Sequence, residues 1–133
     1  MNKRTHTITI TAALDEGAIA SALISAVEGG SRYWASGFRV VKGRGAPGSV
    51  RLVEAYGGTV GAMLSAGSVV RFTENAHTDE PVQRTVTREG VIKALGIMAA
   101  EYPKAFARVC VGGDQDSGDT LLQLAALGEV VYG

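Results

Sequence analysis

Polar and β-branched residues alternate from Thr5 to Thr11 (THTITIT), with Ile8 and Ile10 on one face beside His6. That period of two predicts a half-buried strand. The period then changes. Ile19, Leu23 and Val27 stand four apart on a stripe filled in by alanines, which predicts a helix from about Asp15 to Gly29. Asp15 and Glu16 suit the positive end of its dipole, and Gly29-Gly30 supplies a stop. Phe38 to Val41 reads as a short strand, Lys42 to Gly48 (KGRGAPG) as a loop, and Ser49 to Ala55 (SVRLVEA) as a second alternating segment. The glycine-rich stretch from Tyr56 to Ser68 specifies no element. Ser68 to Glu74 (SVVRFTE) is a strand, NAHTDEP a turn, and Gln83 to Val86 another short strand.

Helical spacing returns after Thr87, a suitable N-cap, with Val91, Leu95, Met98 and Tyr102 as the buried stripe and Pro103 after its end. Lys104 to Val111 is read as a further short helix. DQDSGD then leads into a helix over Thr120 to Leu127, ended by Gly128. This order of elements is α+β rather than alternating βαβ. The expectation is one domain over residues 1–133, a small antiparallel sheet packed against about three helices.

Composition narrows the chemistry. With 133 residues, 46% of them hydrophobic, the chain is long enough to bury about two-thirds of its unfolded surface without staples. Thirteen basic and thirteen acidic residues cancel, so the excess positive charge of a duplex nucleic-acid or membrane binder is missing. A net charge of zero leaves a local anion pocket open. Cys110 is the only cysteine. That fits a reducing compartment, and the segment from Met1 to Thr11 lacks the apolar run of a signal peptide, so a cytoplasmic protein is expected. No stretch approaches the roughly 20 apolar residues of a membrane span.

Most chemistry-bearing motifs fail on inspection. GRGAPG has neither the Gly-Lys-Ser/Thr end nor the following helix of a phosphate-binding P-loop. His6 and His77 stand apart and no zinc spacing exists. A calcium loop starting at Asp114 would need an oxygen ligand where Gly118 sits and a closing Glu where Ala125 sits. Asp116 is therefore read as an N-cap, with Asp119 completing a box-like contact. Neither metal nor other cofactor is expected.

Two regions survive. Ser31-Arg32-Tyr33-Trp34 follows two glycines and holds the only tryptophan beside a tyrosine and an arginine. Aromatic faces stack on bases and arginine grips phosphate, yet a lone tryptophan equally serves as a core anchor. The tail Gly128-Glu129-Val130-Val131-Tyr132-Gly133 is too apolar to stay free in water. It pairs with a strand, docks in the core, or joins an oligomer interface.

EGGSRYWA and GDTLLQLAALGEVVYG resemble two motifs of a widespread group of small bacteriophage and prophage proteins, and SVVRFTENAHTDEP with TREGVIKALGIMAAEYP falls where that group has similar elements. Glu28, Gly29, Gly30, Ser31, Tyr33 and Trp34 match the first motif. Asp119, Leu122, Gln123, Gly128, Glu129, Tyr132 and Gly133 match the second. The resemblance implies a phage accessory protein in the bacterial cytoplasm, akin to oligomeric anti-defence sponges that sequester cyclic oligonucleotides or ADP-ribose-derived signals. The ligand-contacting set expected on that reading is Ser31, Arg32, Tyr33, Trp34, Asp119, Gln123 and Tyr132, in a homo-oligomer that binds a small nucleotide-type ligand without turning it over. The alternatives are an inhibitor or adaptor that docks on a host protein, and a nucleotide-acting enzyme with a divalent ion on Asp114, Asp116 and Glu129.

Overall fold

A computed structural model describes residues 4–9, 11, 13–43 and 58–133. Helix α1 spans Glu16–Ser25 and runs into a π-helical turn at Ala26–Gly30. Asp15 caps it, its carboxylate accepting from the Gly17 amide at 3.1 Å. Strand β1 is Ala35–Lys42, α2 is Gly58–Met63, β2 is Val69–Glu74 and β3 is Val82–Val86. Three helices close the chain: α3 at Arg88–Glu101, α4 at Pro103–Cys110 and α5 at Gln115–Leu127. The α+β class read from the sequence is the one found, with α2 and α4 as short additions to the three longer helices.

The three strands form one antiparallel sheet in the order β1-β2-β3. Alternation decides its faces. Val70, Phe72 and Glu74 of β2 point into the core with Val86 of β3, while Arg71, Gln83 and Thr85 face water. On β1 a bulge between Ser36 and Arg39, with Gly37 at φ +69°, inserts one residue into the ladder. That insertion swings Phe38 inward, where its ring stacks on Phe72 at 4.9 Å, and swings Arg39 outward opposite Arg71.

The helices cover the inner face. Alpha-helix α5 lies against α1, α3 and the end of the π-helical turn. The approach to α1 is set by small residues. A Cβ on Gly118 would stand 2.2 Å from the Ala22 carbonyl oxygen, and one on Gly30 would stand 2.3 Å from that of Gln115. Ala22, Leu23 and Ala26 of the first helical segment join Leu121, Leu122 and Leu124 in one buried cluster with Trp34, Val91 and Met98. Thr87 caps α3 through the Gly90 amide at 3.2 Å, as its position suggested, and Pro103 opens α4 directly after α3 ends. Among the described residues no helix is long and apolar enough to cross a membrane.

Four expectations need correction. Residues 4–9 and 11 form no strand, and Ile8 is 75% exposed. A strand is a paired structure, and this segment finds no edge to pair with among the described residues. The helix expected from Thr120 starts at Gln115, because Gly118 is no breaker here but the small residue that α1 demands. Its cap is Asp114 rather than Asp116: Asp114 accepts from the Ser117 amide, and Ser117 Oγ accepts from the Asp114 amide, both at 2.8 Å. Asp119 takes no part in capping and points inward. Where no element was specified, the stretch reaching Ser68 contains α2, whose Val60, Ala62 and Met63 are buried. The loop expected beyond Gly43 and the strand expected at 49–55 lie outside the described residues.

Gly118 and Gly96 sit on opposite sides of the same packing rule. Gly118→Ala pushes a methyl into a helix backbone and is expected to lower unfolding free energy by about 1–3 kcal/mol. Gly96, inside α3 with nothing within 4 Å of a Cβ, is expected to gain about 0.5–1 kcal/mol as alanine. Urea denaturation of the two variants checks both signs.

Candidate functional site

The π-helical turn sets the entry to the site. It ends where the Ser31 amide donates to the Ala26 carbonyl at 2.9 Å, and a tight turn through Trp34 starts β1. Ser31, Tyr33 and Trp34, from one four-residue stretch, are thereby aimed at α5. There Asp119 receives all three: Ser31 Oγ at 2.7 Å and Trp34 Nε1 at 2.7 Å on one oxygen, Tyr33 Oη at 2.6 Å on the other. Gln123, one turn on, adds its Nε2 at 3.1 Å to that second oxygen. Each oxygen of a side chain only 9% exposed thus accepts two hydrogen bonds.

Gln123 also holds the tail. Its Oε1 accepts from the amides of Val131 and Tyr132 at 2.8 and 2.9 Å, and its Nε2 reaches the Tyr132 carbonyl at 3.1 Å. Gly128, left-handed at φ 78°, turns the chain back so that this clamp can close. The Tyr132 ring then stacks on Trp34, centroids 5.3 Å apart, and meets Tyr33 edge-on at 6.5 Å. Its hydroxyl donates to Glu74 and accepts from Asn75 Nδ2 at 2.9 Å. Glu74 is bound on its other oxygen by Arg84 Nε at 2.6 Å.

The electrostatics follow from these partners. Burial, then the hydrogen bond to Asp119, pushes the Tyr33 phenol up to about 12. Burial opposes charge on Glu74, but the Tyr132 hydroxyl and the Arg84 guanidinium outweigh it and hold the carboxyl below its ordinary value. The same Glu74 bond raises Tyr132. Among the described residues no buried side-chain nitrogen or oxygen lacks a partner.

Six of the seven residues singled out in the sequence therefore meet: Ser31, Tyr33, Trp34, Asp119, Gln123 and Tyr132. Arg32 does not join them; it is exposed between buried Ser31 and half-exposed Tyr33. Trp34 is 2% exposed, with one face on Tyr132 and its ring edge-on to Phe72. Tyr33 is the member that reaches solvent, at 49%. Glu74, Asn75 and Arg84 belong to the network and were not singled out. A signal existed for Glu74, since period two places it on the face of Val70 and Phe72. Asp114 and Asp116 lie at the start of α5, where Asp114 is a cap and Asp116 is exposed. Elsewhere, a cleft of about 160 Å³ is lined by Leu14, Ile19, Leu64 and Val91 among others, with Arg88 tied to the Leu64 carbonyl at 2.9 Å. It contains none of the network residues. Comparisons with protein-family models, with curated proteins and with solved structures found no match.

Asp119→Asn replaces an acceptor-only group by an amide that turns a donor toward donors. The expected loss is about 3 kcal/mol of unfolding free energy, since buried donors are left unmet; a loss below about 0.5 kcal/mol in urea denaturation contradicts the bracing role. Tyr33 supplies a pH test. Its folded pKa of about 12 lies above the ordinary value of 10.0. The stability it contributes is therefore complete below pH 10 and lost as pH rises through about 12. Absorbance titration of tyrosinate in the native protein and in Tyr33→Phe should assign one late-ionising phenol to this residue.

Proposed function

We propose that this is a phage accessory protein of the host cytoplasm that binds and sequesters a nucleotide-derived immune signal without turning it over. The observation that carries the reading is the braced, solvent-facing ring of Tyr33. It is the one aromatic side chain among the described residues that is left exposed, and its hydroxyl is fixed on Asp119. A fixed aromatic face is a stacking platform for a base, worth about 1–3 kcal/mol per base. Arg32, next in the chain and exposed, supplies the fork that pairs with phosphate. Trp34 serves that platform from behind, as the surface on which Tyr132 is laid.

A holding role is supported by the state of the nearby carboxylates. Asp119 and Glu74 have donors on both oxygens, which leaves neither placed to take a proton from a substrate. Val130 and Val131, 37% and 53% exposed beside Tyr132, give an apolar rim on which a second copy of the chain would sit and so wall in the Tyr33 surface.

A thermal-shift panel of cyclic dinucleotides, cyclic trinucleotides and ADP-ribose derivatives tests the reading, with chromatography of the recovered ligand. A ligand at 100 times its Kd adds about 2.7 kcal/mol, a shift of several degrees for a domain of this size. The expected pattern is a shift reduced in Tyr33→Phe, which keeps the ring but loses its brace, lost in Tyr33→Ala and Arg32→Ala, and a ligand recovered intact. Recovery of a cleaved ligand points to an enzyme instead. A silent panel with stoichiometric capture of one host protein points to an adaptor.

A further inference from the structure

The charge total of zero conceals a segregation. On the outer sheet face, Arg39 of β1 stands directly opposite Arg71 of β2, and Arg71 opposite Thr85 of β3. Lys42 pairs with Val69, two residues further along β2. All three cations are exposed, and the ion pairs among the described residues, Arg84–Glu74 and Arg108–Asp114, leave them out. Like charges directly opposed weaken a ladder. Nothing in the fold requires this pair, since an outward position on a sheet accepts any polar residue.

Arg39 is also held in place. Arg39 reaches across the middle strand, its Nη2 donating to Gln83 Oε1 at 3.0 Å and its Nη1 to the Gly37 carbonyl at 3.4 Å. Gln83 is itself fixed by its Nε2 on Thr73 Oγ1 at 2.8 Å. These partners are neutral, so they orient the guanidinium without cancelling its charge, and its remaining donors stay available. Among the described residues, the carboxylates in reach of the sheet lie elsewhere: Glu74 is on the inner face, and Asp79 and Glu80 are in the turn beyond the Glu74–Val82 end of the ladder, away from Lys42.

We propose that this face is a binding site for a compact oligophosphate chain, clasped between Arg39 and Arg71 with Lys42 at one end. The two-residue step from the arginine pair to Lys42 spans about 7 Å along a strand, room for two or three linked phosphates rather than one. A nucleic-acid strand fits less well. Among the described residues the face presents Ser36, Thr73, Gln83 and Thr85 beside the cations and no aromatic ring on which bases could stack. The site lies apart from Tyr33 and does not depend on the reading of that surface.

Calorimetric titration of the full chain with sodium tripolyphosphate, at low and at physiological salt, is the test. Arg71→Gln and Arg39→Gln should each weaken binding about tenfold or more, and the double variant should abolish it. Arg32→Ala should bind as the native chain does. Melting temperatures of both arginine variants should not fall, because each removal relieves a repulsion; if Arg39→Gln does melt early, Arg71→Gln, whose guanidinium braces nothing, decides alone. ATP should bind within a few-fold of tripolyphosphate, and a thymidine oligonucleotide more weakly. No binding of tripolyphosphate, or binding indifferent to Arg39 and Arg71, overturns the site. Loss of binding in Arg32→Ala alone moves the phosphates to the Tyr33 surface and supports the earlier reading instead. An oligonucleotide that binds more tightly than tripolyphosphate overturns the compact ligand.

Discussion

A carboxylate that is 9% exposed costs several kcal/mol to remove from water unless its oxygens are met by donors. Asp119 meets that condition with residues drawn from three places in the chain. Ser31 and Tyr33 come from the turn after the first helix, Trp34 from the threshold of β1, and Gln123 from its own helix. Gln123 is placed by the helix it shares with Asp119, but the other three donors are more than 80 residues away in sequence, so the carboxylate is satisfied only when α5, the turn and the sheet edge are all docked. Removing Asp119 from its partners thus opposes every partly docked arrangement, which is how one buried polar group selects a single packing.

The network in turn depends on how near α5 comes to the first helix. Gly118 meets Ala22, and Gly30 meets the backbone of Gln115, at distances that admit no side chain. Asp119 is the residue after Gly118, so the contact that brings the helix backbones together also delivers the carboxylate. Gln123 lies one turn further along the same face. It carries the order outward to the tail, where its amide stands in for the strand partner that Val131 and Tyr132 lack. Tyr132 then closes the circuit on Glu74, and the tail and the sheet are joined at the Glu74 end of β2.

How much of this was legible depended on the range of the interaction. Thr87, Gly128 and the stripes of α1 and α3 were read correctly because caps and helical periods are set within a few residues. Phe38 was placed on a strand, but its facing depends on a bulge at Gly37 that the ladder reveals and the pattern does not. THTITIT has the right period and no partner among the described residues, which a pattern cannot report. The hydrogen bonds that join Ser31, Tyr33 and Trp34 to Asp119 and Gln123 span up to 90 residues, and the ring contacts with Tyr132 reach further still. The resemblance brought those positions to attention together; nothing in their spacing said that they touch. Asp116 and Asp119 do not form a cap because the helix already begins at Gln115, and Gly118, packed against Ala22, lies inside it.

Tyr33 and Arg39 show two ways in which the fold leaves a polar group facing water while fixing where it points. The Tyr33 hydroxyl is held by a buried acceptor, so about half of its ring remains outside without freedom to wander. Arg39 is held by Gln83 and by the Gly37 carbonyl, which together cost it two donors and none of its charge. Side chains immobilised in this manner have already lost the rotamer entropy that a ligand would otherwise have to overcome on binding. The two surfaces are served by different supports, the Asp119 network behind one and the Gly37 bulge with Gln83 beneath the other. Changes at either support should therefore reach one surface and leave the other as it was.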